Sequence, residues 1–132
     1  MPSVSSFLIR TALVHLVLGF TIGAILLVGK AVHHVPFQYL PIHIELLLVG
    51  FVIQLTLGVA FWMFPRLTTI TDRGRTKPIF AAYAVLNVGI LCCCLSVFEL
   101  PLLLGFGRAM EVVAMVAFVL NLWPRIYAFG RY

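Results

Sequence analysis

The feature that most constrains this chain is a set of three long stretches without a charged residue. Thr11 to Gly29 has 19 residues, Leu46 to Phe64 has 19, and Ile79 to Phe98 has 20. A helix rises about 1.5 Å per residue, so each stretch matches the ~30 Å hydrocarbon layer of a bilayer. A fourth apolar stretch, Leu102 to Trp123, is interrupted only by Arg108 and Glu111. Composition agrees: 63% of the 132 residues are hydrophobic and 10% charged, far from the balance of a water-soluble domain.

Lipid requires every backbone group to be bonded within the protein, and these stretches lack the alternation of barrel strands. The expected fold is therefore all-α: an integral membrane protein with four transmembrane helices in an up-down-up-down bundle, forming a single domain over 1–132. The spans are placed at about 8–29, 43–64, 79–98 and 107–124, with ELPLLLGFG (Glu99 to Gly107) read as an apolar connection. Gly19 and Gly23 form a GxxxG pair that permits close helix approach.

Charge sets the expected orientation. The N-terminus, the second loop and the C-terminus carry Arg10, Arg66, Arg73, Arg75, Lys77, Arg125 and Arg131 against one acid, Asp72. The opposite side carries only Lys30 and Arg108. This asymmetry predicts both termini in the cytoplasm of a bacterial-type inner membrane, with Trp123, Tyr127 and Tyr132 as an interfacial belt. The net charge of +5 orients the chain and does not imply nucleic acid, because the basic residues sit in gaps between apolar runs.

On the opposite, outer side fall His33, His34, His43, Glu45, Glu99 and Glu111. Imidazole and carboxylate ligate borderline metals and haem iron and also move protons. His33, His34, His43 and a glutamate make one candidate metal site, suited to copper or zinc. The simpler reading of the loop pair His33-His34 is that outer loops are wet. His43 shares a helical stripe with Gly50 and Gln54, where a side-chain-free patch admits a flat ligand and an amide can bond it. Glu45 points elsewhere and is expected to favour the positive end of its helix. Cys92, Cys93 and Cys94 point about 100° apart and are read as packing residues. His15, near the cytoplasmic edge, is expected to bond a neighbouring helix. Small exporters depend on a carboxylate deep in the membrane, and all three glutamates are placed toward the span edges, which counts against export.

The segments HIELLLVG (His43 to Gly50) and GVAFWMFPR (Gly58 to Arg66) resemble the second helix of subunit I in heme-copper oxidases, nearest the nitric oxide reductase and C-family branches. Arg10 to Gly29 is similar to the first helix of short bacterial proteins that look like a detached piece of that subunit. The resemblance covers about the first 70 residues. It implies that His43 is an axial ligand of a low-spin b-type haem near the outer face. The chain lacks the later helices that carry the other metal ligands, so the implied role is an electron-transfer subunit within a larger complex, and not a complete oxidase. A trans ligand would come from His33, His34, a second copy or a partner subunit, and Arg108 would pair with haem propionates. The alternative is a cofactor-free accessory or scaffold subunit of a respiratory or photosynthetic membrane complex. Lipid, other membrane subunits or a second copy are the expected partners.

Overall fold

The computed structural model describes residues 3–32, 37–64, 76–98 and 100–129, with side chains through Arg125. His33, His34, Glu99, Arg131 and the basic second loop lie outside the described residues. Four helices account for the described chain: α1 (Ser3–Val32), α2 (Phe37–Met63), α3 (Thr76–Leu95) and α4 (Pro101–Phe129). Each is long and apolar enough to cross a membrane. These are the length and composition of a multi-pass membrane protein.

Neighbouring contacts fix the topology. Leu8 and Ile9 of α1 lie beside Gly58 of α2, whereas Gly23 lies beside His43, so α1 and α2 are antiparallel. Gly89 and Cys93 of α3 meet Glu111 and Gly107 of α4 in the same opposed sense. Thr11 and Tyr83 share a hydroxyl–hydroxyl bond of 2.8 Å, which sets the starts of α1 and α3 side by side. The result is two hairpins, α1–α2 and α3–α4, in up-down-up-down order. The end holding Ser3, Phe64, Thr76 and Arg125 is called the basic end below; the other is the far end.

The core is continuous along the bundle. Val4, Leu8, Phe61, Ile79, Ala82, Phe118 and Leu122 form a buried cluster toward the basic end. Leu46, Leu86, Ile90 and Ala114 form another toward the far end. Val17, Leu27, Val112 and Leu120 point outward, as a lipid-facing surface requires. Polar side chains on that surface stay within their own helix: Thr21 and Thr56 donate to the carbonyls four residues back. Such bonds remove the penalty of a bare hydroxyl in hydrocarbon.

The helices run beyond the spans placed from sequence at several ends, most of all at two starts. Helix α4 begins at Pro101, not near Gly107, so LLLGFG is helix and not connection. Proline costs nothing in a first turn, where its missing N–H has no intrahelical partner, and its fixed φ suits the start. Helix α2 begins at Phe37, with a 3₁₀ turn to Tyr39 and Pro41 in the following first turn. It ends where Phe64 turns extended (φ −61°, ψ 138°), as the residue before Pro65 must.

The middle of α2, Leu46–Ile53, is π-helical. This wider winding, rare in general and frequently found at functional sites, lies between the His43/Glu45 pair and Gln54. His43, Leu47, Gly50, Gln54 and Gly58 all meet α1 across or beside it.

Candidate functional site

Helices α1 and α2 pack by reciprocal insertion. The His43 ring of α2 lies over Gly23 of α1, and its Nδ1–H donates to Gly19 O at 2.7 Å. The His15 ring of α1 lies over Gly50 of α2, and its Nδ1–H donates to Gly50 O at 3.1 Å. A Cβ on Gly23 would stand 2.5 Å from His43 Cε1, and one on Gly50 would stand 2.8 Å from His15 Cγ. Each glycine is thus a socket for an imidazole of the opposite helix. Ser5 donates to Gly58 O, and Gln54 Nε2 donates to Leu8 O at 3.4 Å. The bond from His15 to the neighbouring helix matches its sequence reading.

This placement changes the role of the Gly50 stripe. It does face one way with His43 and Gln54, but His15 fills the patch and the amide of Gln54 is spent on α1. No flat ligand reaches Gly50 or Gln54 while α1 is in place. Seven residues of α2 separate His43 from Gly50, the residue His15 meets, or ~10 Å along the axis. That is far more than two metal–nitrogen bonds of about 2 Å can span. Beside His43 an apolar cavity of about 170 Å³ is lined by Ile22, Ile25, Leu26, Tyr39 and Ile42.

A second polar centre lies toward the far end, between α2, α3 and α4. Arg108 Nη2 donates to Glu45 Oε2 at 2.6 Å, and Arg108 Nη1 donates to Glu111 Oε2 at 2.7 Å. The Cys93 thiol donates to Glu111 Oε1 at 3.4 Å. One carboxylate oxygen from each glutamate and Cys93 Sγ lie within 4.8 Å of one another. Glu45 is 4% exposed and Glu111 8%, while half of the Arg108 side chain is open to the surroundings. Glu45 Oε1 is buried and has no hydrogen-bond partner.

The local sequence builds this centre. Arg108 and Glu111 are three residues apart, hence neighbours on one face of α4. Gly107 abuts Gly89 so closely that a Cβ on Gly107 would lie 2.6 Å from Cys93 Sγ and 2.8 Å from Gly89 O. That contact lets the Cys93 thiol reach Glu111. Cysteines at three successive positions need not converge; one of them facing α4 suffices. Glu45 is two residues beyond His43, so it faces α3 and α4 while His43 faces α1.

Two sequence expectations are revised here. Glu45 does not act as a helix-end carboxylate; it is an ion-pair partner inside α2, eight residues or ~12 Å from Phe37. Glu111 stands ten residues or ~15 Å inside α4. The expectation that the glutamates lie toward the span edges, which counted against export, is therefore revised for Glu45 and Glu111. Arg108 is engaged by both carboxylates, and Arg125, counted above among the orienting charges, is buried: it donates to Phe64 O at 3.1 Å and lies 4.9 Å from the Phe61 ring centre. The two arginines fasten α4 to α2 at points 17 residues apart, ~25 Å along the helix.

Electrostatics make the far-end centre the most demanding feature of the described chain. Among the described residues, Glu45 and Glu111 share Arg108 as their one recorded cationic partner. With both carboxylates ionised the triad would hold one excess negative charge in a low-dielectric setting. Ionisable groups buried in apolar surroundings are expensive, and inside membrane spans they characteristically mark ion or proton paths. No family model, characterised protein or solved structure matches this chain.

Proposed function

We propose that this chain is a membrane protein that accepts and passes protons or cations at the Glu45–Arg108–Glu111 centre, oriented with both termini in the cytoplasm. The observation that carries this reading is the charge imbalance: two buried carboxylates share one guanidinium, and Glu45 keeps one oxygen unbonded. Neutrality then requires one further positive charge, supplied by a proton or a bound cation. Arg108 is half-exposed, so its guanidinium links the buried carboxylates to the surroundings on the far-end side. A counter-charge can arrive past it without passing through the α1–α2 interface. The seven-to-two distribution of basic residues supports the orientation, in which Arg108 lies toward the outer side. The outward apolar faces suit lipid, other membrane subunits or a second copy.

The test is proton uptake by sealed liposomes holding the full chain, driven by a potassium diffusion potential and read by an internal pH dye. Wild type takes up protons; Glu45→Gln and Glu111→Gln lose most of the uptake while retaining their helix content. Equal uptake in all three would overturn the proposal.

A second reading, an electron-transfer subunit with b-type haem on His43, is favoured by one detail. Gly19 O holds Nδ1, which leaves Nε2 as the ring nitrogen for a metal. The neighbouring cavity of about 170 Å³ falls short of the roughly 300–1,000 Å³ of ordinary ligand sites, so such a haem would lie against a partner or lipid. A reduced-minus-oxidised spectrum decides it. A Soret band lost in His43→Ala supports haem; its absence from protein produced with ample haem removes this reading. Protein silent in both assays would return the alternative of a cofactor-free accessory or scaffold subunit.

A further inference from the structure

We infer that Glu45, Cys93 and Glu111 form a binding site for a borderline-soft divalent cation of the zinc class, loaded in exchange for two protons. The inference rests on the reading of this centre as a cation site and names its substrate class. Three observations carry it. A thiol and two carboxylates offer ligand atoms within 4.8 Å of one another. All three residues are more than nine-tenths buried. Glu45 Oε1 is an unsatisfied acceptor in a place where every such group is costly.

The ligand chemistry selects the ion. Magnesium and calcium take oxygen-only shells and gain nothing from a thiolate, whereas zinc takes sulfur and carboxylate oxygen in a tetrahedral set. Zinc bonds of about 2.0–2.3 Å place ligand atoms about 3.5 Å apart. The three groups therefore close by ~1 Å around the ion, within reach of glutamate rotamers. Three protein ligands leave a fourth position open for water, unlike the closed four-ligand set of a structural zinc site.

Charge selects the stoichiometry. Without metal, a thiol, one carboxylate, one protonated carboxyl and the Arg108 guanidinium sum to zero. With a divalent cation, one thiolate, two carboxylates and the guanidinium again sum to zero. Loading therefore releases the thiol proton and the carboxyl proton, and no electron moves: the cation plus Cys93–SH, one Glu–COOH and one Glu–COO⁻ gives the metal-bound thiolate, two carboxylates and two protons. A site that is neutral in both states can alternate between them inside lipid without a net-charge penalty. Arg108 supplies the balancing charge and is not a ligand.

Zinc and cadmium ions are titrated into the full chain in detergent, in buffers of different ionisation heat. One ion per chain, about two protons released per ion, and a cadmium–thiolate charge-transfer absorption are expected. Cys93→Ser should abolish that absorption and weaken binding at least tenfold, whereas Cys92→Ser leaves both intact. If Cys93→Ser does not fold, the Cys92→Ser/Cys94→Ser variant replaces it: cadmium must then protect the single remaining thiol from alkylation. Absence of stoichiometric binding overturns the inference. So does binding that survives Cys93→Ser but fails when His33 and His34 are changed to alanine. Proton uptake by liposomes separates the two levels. Uptake that depends on Glu45 and Glu111, without metal binding, removes the metal and leaves the proton centre; loss of both removes the underlying reading too.

Discussion

Glu45 and Arg108 are 63 positions apart in the chain, and their side chains meet at 2.6 Å. The contact joins the α1–α2 hairpin to the α3–α4 hairpin at the far end of the bundle. It also places an acid that the sequence sets at a helix mouth inside the protein. Most of what this molecule can do chemically depends on that meeting.

The pair should be coupled in stability. Removing one partner of a buried ion pair costs about 3–5 kcal/mol, and the half-exposure of Arg108 lowers this to about 1–3 kcal/mol for Arg108→Gln. Glu45→Gln should cost less, since an amide still accepts from Arg108. In unfolding titrations in mixed micelles, the double variant should be more stable than the sum of the single losses. Strict additivity would mean that the two residues do not interact.

The imidazole sockets make a second coupling testable. Gly23→Ala puts a methyl 2.5 Å from His43 Cε1 and should destabilise by about 1–3 kcal/mol, the usual cost of overpacking. Adding His43→Ala removes the clashing ring, so the double variant should recover part of that loss. The same holds for Gly50→Ala with His15→Ala. A Gly23→Ala chain as stable as wild type would show that the two helices do not approach at this point.

Orientation can be read by labelling. Gln38 and Ser3 are both exposed, at opposite ends of the bundle. In a chain whose native cysteines are serine, Gln38→Cys should react with an impermeant thiol reagent on intact cells, and Ser3→Cys only after lysis. The reverse pattern would invert the topology and put Arg108 on the cytoplasmic side.

The helices were readable because charge-free runs of membrane length leave few alternatives. The start of α4 was not, because proline before a glycine-containing stretch reads as a break, while a first helical turn tolerates it. The GxxxG pair was visible, but its occupants were not. That His43 fills the Gly23 socket, and His15 the Gly50 socket, depends on how two helices 20 or more residues apart settle against each other. Arg108 and Glu111 were detectable as a three-residue pair on one face. Glu45 and Cys93 were not, since their partners come from another hairpin and from a glycine contact between α3 and α4. The π-helical winding of Leu46–Ile53 leaves no composition signal, because its residues suit an α-helix equally.

The measurement closest to the central claim is an infrared difference spectrum of the chain in bilayers at neutral pH, read at the C=O stretch of protonated carboxyl groups. Two carboxyls sharing one guanidinium predict one such band from this centre. Either Glu45→Gln or Glu111→Gln should remove it, because the remaining carboxylate is then balanced by Arg108; Arg108→Gln, which takes away the shared positive charge, should strengthen it. A wild-type spectrum without the band, or a band untouched by all three substitutions, would contradict the account.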